Sequence, residues 1–163
     1  MNINLKSLIF AVSYFLLSAC NEQQATIGQP APELAVFSLS GEKIKLQDVV
    51  QHKPLFITFW SETCGGCIAE MLELQRLQQI HPHTLDFLAI NIDGKEADTA
   101  AVAQQRGITL PVVKDQLGIT VERYQVIGTP TSFLISADGI LQQKMEGFDH
   151  ESIEKLLKMR KTK

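Results

Sequence analysis

Cys64 and Cys67 are separated by Gly65 and Gly66, and Glu70 follows three positions later. A cysteine pair at this spacing can open and close a disulfide, and its surroundings decide whether it does so in function. Upstream, Phe56-Ile57-Thr58-Phe59-Trp60 is an aromatic and β-branched run that reads as a buried strand. Downstream, Ile68, Met71, Leu72, Leu74 and Leu77 fall at helical spacings. The pair therefore stands where a strand hands over to a helix, around the helix's first turn. Backbone N–H groups there lack intrahelical partners, and the macrodipole is positive. Both effects favour a thiolate, so the thiol pKa falls below the ~8.5 of a free cysteine. Cys64, nearer the helix N-terminus, is the expected nucleophile. Cys67, one turn in, is the expected resolving thiol.

Other chemistries for a Cys-x-x-Cys fit less well. Structural zinc wants four ligands, and the sequence has no second pair. Attachment of c-type haem requires a histidine where Ile68 stands. A purely structural disulfide across so short a loop adds little stability.

The elements around the pair complete one domain. The chain has 163 residues, enough for a sizeable core, with a formal net charge of −3 and 20% charged residues. That balance gives no electrostatic footprint for nucleic acid. Three cysteines are too few for a disulfide scaffold, so cysteine here means chemistry. Pro30-Ala31-Pro32 forces extended backbone and opens the domain. Residues 34–39 and 43–46 read as short strands joined at Ser40-Gly41, and residues 46–50 as a helical turn. After the cysteine helix, His81-Pro82-His83 breaks the pattern. Its histidines are read as surface residues at a helix end rather than as metal ligands.

Residues 85–92 read as a strand ended by Asp93-Gly94, and residues 97–106 as a helix closed by Gly107. A short strand at 110–113 and a brief helix at 117–124 follow. Strand and helix alternate, which requires at least one parallel pairing. Residues 132–135 and 140–145 are strands joined by the turn Ala137-Asp138-Gly139. Residues 152–159 form a terminal helix with Ile153, Leu156 and Leu157 on one face, followed by a basic tail.

The first residues belong to a different design. Lys6 precedes an apolar run at 8–17, too short to span a bilayer and suited to a signal-peptide core. The run ends in Leu17-Ser18-Ala19-Cys20, which resembles the lipobox of bacterial lipoproteins. That resemblance implies cleavage after residue 19, lipidation of Cys20, and stable anchoring by several acyl chains. The expected organisation is a signal peptide over 1–19, a lipidated tether over 20–26 and a domain over 27–163.

Phe59-Trp60-x-x-x-Cys64-x-x-Cys67-x-x-Glu70, together with Gly128-Thr129-Pro130-Thr131-Ser132-Phe133-Leu134-Ile135 and Asp138-Gly139, resembles the thioredoxin-like proteins. Within them it resembles the extracytoplasmic thiol:disulfide oxidoreductases typified by TlpA and ResA. The resemblance runs from about Ile27 to the C-terminus. It implies an α/β, thioredoxin-like fold: a central mixed sheet flanked by helices, with an N-terminal β-hairpin extension. It also implies a cis Pro130 lying against the cysteines. Substrate contact is then expected at Thr129, through its backbone, at Pro130 and at Trp60. Glu70 matches a glutamate of the TlpA and ResA group, on the same side of the helix as Cys67, and is the expected proton acceptor for Cys67. The alternative is a solvent-facing Glu70 that complements the helix dipole. Three departures stand out: Thr63 replaces a usual tryptophan, Gly66 a usual proline, and Thr58 the buried acid of thioredoxin itself.

The resulting expectation is a monomeric, membrane-tethered enzyme outside the cytoplasm of a bacterium. It reduces protein disulfides, in the manner of cytochrome c maturation factors, and meets a redox partner. It needs no cofactor and no metal beyond its own cysteines. Two alternatives remain open: a Cu(I)-binding module using the paired thiolates, and a thiol peroxidase on the same fold.

Overall fold

The computed structural model of the chain describes residues 23–151 together with 153 and 154. The expected signal peptide, Cys20, the first part of the tether and most of the terminal helix and basic tail lie outside them.

Among the described residues, seven strands form one mixed sheet in the order β2-β1-β5-β4-β3-β6-β7. β1 (Val36–Ser38) and β2 (Lys43–Ile44) make the N-terminal hairpin, and the short helix α1 (Leu46–Val49) follows. β3 (Leu55–Trp60) leads into α2 (Gly65–Ile80), then β4 (Asp86–Asn91) and α3 (Thr99–Gln105). β5 (Val112–Lys114), α4 (Ile119–Arg123), β6 (Thr131–Ile135) and β7 (Leu141–Glu146) complete the order. β3 pairs parallel with β4 and antiparallel with β6, while β4 pairs parallel with β5. β1 and β7 join the two sides antiparallel. The mixed α/β sheet with its N-terminal hairpin is the one expected.

β3 is buried along its whole length because both faces of the sheet are covered. Its side chains alternate between two cores. Phe56 and Trp60 face α2 and α3, where Cys67, Met71, Leu74, Leu77 and Ala103 pack. Leu55, Ile57 and Phe59 face the other way, against Leu34, Leu46, Tyr124 and Phe133. Phe59, Tyr124 and Phe133 form an aromatic cluster there, with centroids 5.1–5.8 Å apart and Phe133 packed edge-on against the other two.

Several expected boundaries shift. Residues 23–26, expected as tether, are docked: Ala25 N–H donates to the Arg123 carbonyl at 2.8 Å, and Glu33 N–H to Gln23 Oε1 at 3.0 Å. The α2 stripe also rotates. Cys67, Glu70, Met71, Leu74 and Leu77 are buried, whereas Leu72 is 43% exposed. A helix this close to the sheet turns its narrow 67-70-71-74-77 face inward, and leucine at 72 falls outside it. No helix among the described residues is long and apolar enough to cross a membrane.

Candidate active site

β3 ends at Trp60, and the chain turns through Ser61-Glu62-Thr63 before α2 begins. Asp93, just beyond β4, fastens that turn. It accepts from Ser61 Oγ at 2.7 Å, from Glu62 N–H at 2.7 Å and from Asn91 Nδ2 at 2.9 Å. The turn delivers Cys64 as the N-cap of α2, where its sulfur accepts from Cys67 N–H at 3.1 Å. Cys64 and Cys67 are joined in a disulfide with Cα atoms 5.3 Å apart. Cys64 is partly exposed beside exposed Gly65 and Gly66, whereas Cys67 is fully buried. The asymmetry follows from helix geometry: the capping residue stands at the rim, and the residue three on faces the sheet.

Facing this turn is the loop before β6. The Thr129–Pro130 peptide is cis, as the family resemblance implied. Pro130 lies over the start of α2, its Cδ 3.9 Å from where a Cβ on Gly66 would stand. Thr129 is partly exposed at the rim.

Glu70 reaches from α2 to the sheet, where β3 and β6 hold its carboxyl. It is 1% exposed, so the solvent-facing alternative is overturned. Thr58 Oγ1 donates to its Oε2 at 2.9 Å, and Ser132 Oγ donates to its Oε1 at 2.8 Å. Thr58 and Ser132 are cross-strand neighbours on β3 and β6, so the sheet presents two hydroxyls side by side to one carboxyl. Burial pushes the Glu70 pKa up; the hydroxyl bonds, from Ser132 and then Thr58, pull the other way without prevailing. Thr58 thus holds the acid reaching over from α2. The clue to Ser132 was available: it and Thr58 are hydroxyl residues within strands that are otherwise strongly apolar.

Trp60 does not sit where it was expected to act. It is 0% exposed, packed in the same core as Cys67 and Met71, and its Nε1 has no partner among the described residues. A side chain with no exposed surface cannot touch a docking polypeptide, so Trp60 supports the site from behind. No group of three or more His, Cys, Asp or Glu side chains among the described residues is placed to hold a metal ion.

A partly exposed cysteine capping a helix, a buried partner one turn in and a facing proline loop, all on a mixed sheet, define a thioredoxin-like thiol–disulfide site. The chain belongs to the AhpC/TSA family, whose model matches residues 27–144, and stands within it among the thiol–disulfide oxidoreductases. The thiol–disulfide oxidoreductase ResA of Bacillus thuringiensis subsp. konkukian is 32% identical over 139 residues, covering 84% of this chain and 80% of that one. The thioredoxin-like protein YneN of Bacillus subtilis is 32% identical over 118 residues, covering 71% and 68%. Among solved structures, a Chlorobium tepidum protein described as a thiol:disulfide interchange protein DsbE superposes with a TM-score of 0.73. It is 28% identical, and the match covers 83% of this chain and 95% of that one.

Proposed function

We propose that this protein is a lipid-anchored reductase of protein disulfides outside the cytoplasm, working through the Cys64–Cys67 couple. One observation carries the reading: the disulfide caps a helix at the surface while a buried acid, Glu70, waits one turn below the buried cysteine.

In the reduced enzyme Cys64 is the thiolate, favoured by the Cys67 N–H and the helix terminus. It attacks one sulfur of a partner's disulfide, forming a Cys64–partner mixed disulfide and releasing the other partner sulfur as thiolate. The partner strand docks along the Thr129 backbone and against Pro130. Cys67 then gives its proton to Glu70, and its thiolate attacks the Cys64 sulfur. The Cys64–Cys67 disulfide forms and the second partner thiolate leaves. Two electrons pass to the partner. A second redox partner returns the disulfide to the dithiol.

Anchoring through Cys20, the 1–19 signal peptide and a monomeric state rest on the sequence. Action in cytochrome c maturation rests on the likeness to proteins named ResA and DsbE. The test is three assays on one preparation: turnover of a protein disulfide, consumption of peroxide, and Cu(I) titration of the reduced protein. The reading requires the first to dominate. Peroxide turnover exceeding disulfide turnover, or stoichiometric tight Cu(I) binding without reductase activity, would replace it with a peroxidase or a copper module. The reduction potential of the couple, set against its partners, decides the direction of electron flow.

A further inference from the structure

We infer that the cleft of about 190 Å³ lined by Glu70, Met145, Glu146, Gly147, Asp149 and Ile153 is the proton route between Glu70 and solvent. The inference deepens the proposed function and rests on Glu70 accepting the Cys67 proton.

The need for such a route follows from burial. Glu70 is 1% exposed, and the groups that hold its carboxyl, Thr58 and Ser132, are themselves each 1% exposed. The two hydroxyls already spend their protons on its oxygens, so neither carries a proton outward to solvent. An acid that takes a proton in every turnover must also lose it in every cycle. The cleft lies where β7 ends and the C-terminal segment begins, and Glu70 forms part of its wall. Its outer residues Glu146, Gly147 and Asp149 are exposed. A water needs roughly 10–15 Å³ of such space and two to four polar partners. The cleft has the volume for several waters, with Glu70 in its wall and the acidic Glu146 and Asp149 among its exposed lining residues.

Its position is fixed by the site. Gly147 N–H donates to the Pro130 carbonyl at 2.8 Å, tying the mouth to the loop that faces the cysteines. Other charges stand near the mouth. Lys144 pairs with Glu146 at 2.7 Å, and His150 lies 3.2 Å from Glu73, which Arg76 also holds. In the resolving step the Cys67 proton passes to Glu70, then through cleft water to the mouth and bulk. The departing partner thiolate takes its proton from solvent.

The test fills and widens the cleft in the full-length protein. Met145→Phe and Ile153→Phe narrow it; Met145→Ala widens it. The protonated Glu70 carboxyl gives an infrared band, assigned by its loss in Glu70→Gln, and its exchange into D2O is timed alongside single-turnover release of a reduced partner. Filling should slow both by about tenfold or more, at or below the low end of the ~10²-fold and upward contribution of a general base. The band should stay at its wild-type frequency, and Met145→Ala should exchange at least as fast as wild type. Wild-type exchange in both filled variants, with Glu70→Gln still slow, would place the route elsewhere and leave Glu70 as the base. Slowing in filled and widened variants alike would mean disturbed packing, and the route would fall. Wild-type release in Glu70→Gln would remove the proposed base itself.

Discussion

Glu70 is a carboxyl held by two hydroxyls and shut away from water, and its behaviour follows from that enclosure. Its raised pKa makes it a better proton acceptor near neutral pH than an ordinary glutamate. Glu70→Gln should slow release of the reduced partner by about 10²-fold near neutral pH. The deficit should shrink at high pH, where Cys67 ionises unaided. Single-turnover kinetics across pH read this directly, and superimposable profiles would show Glu70 to be a structural acid only. The same enclosure affects stability. A carboxyl whose folded pKa lies above its unfolded one stabilises the fold below the unfolded value, and that contribution is lost as pH rises through the folded value. Oxidised Glu70→Gln should therefore melt close to wild type in mild acid and increasingly above it toward neutrality. A constant difference in thermal midpoint across pH would contradict the shift. Glu70 was legible as an acid one turn from Cys67, but its burial was not. That depends on Ser132, which sequence places far away and only the β3–β6 register brings to the carboxyl.

At the scale of the element, α2 begins with two glycines that the chain does not conformationally require. Neither Gly65 nor Gly66 has a positive φ, and a Cβ at 66 would meet Pro130 at ordinary contact distance, 3.9 Å. The N–H at 66 lies in the first helical turn, where it has no intrahelical acceptor. Gly65, lacking a Cβ, also relieves the clash that proline imposes on its predecessor. Gly66→Pro should fold and gain about 0.4–1 kcal/mol by restricting the unfolded chain. Denaturant unfolding of the oxidised form checks it. A net loss of stability would show that the Gly66 N–H has a partner that proline removes. The start of α2 was readable because an apolar strand, a short polar turn and a Cys-x-x-Cys leave few other geometries. Its inward face was less so. Leu72 fits a helical stripe as well as Leu74 does, and only the approach of the sheet decides between them.

The whole molecule is a doubly covered sheet to which an N-terminal segment is fastened from the far side. Tyr124 Oη donates to the Pro32 carbonyl at 2.8 Å, Thr120 Oγ1 accepts from Ala35 N–H at 3.0 Å, and Arg123 donates to the Glu33 carbonyl at 2.8 Å. Residues 28–31 also pair with the start of β7, where Leu141 N–H donates to the Gln29 carbonyl at 2.9 Å. The hairpin extension is thus part of the core. Tyr124→Phe should cost about 1–3 kcal/mol by leaving a buried carbonyl unpaired, with little effect on disulfide turnover. An unchanged unfolding midpoint would mean that water replaces the hydroxyl. The α/β alternation was plain in the sequence because each long element has one clear period. The position of β5 between β1 and β4 was not, since three residues carry almost no periodic signal and their place is set by partners distant in sequence.

The central claim is that Cys64 attacks and Cys67 resolves. Cys67→Ala, reduced and mixed with a protein carrying one disulfide, should accumulate a one-to-one mixed disulfide that mass analysis of peptides places on Cys64. Cys64→Ala should trap far less. Sustained turnover by Cys67→Ala without any conjugate, or a conjugate formed through Cys67 as readily as through Cys64, would contradict the account.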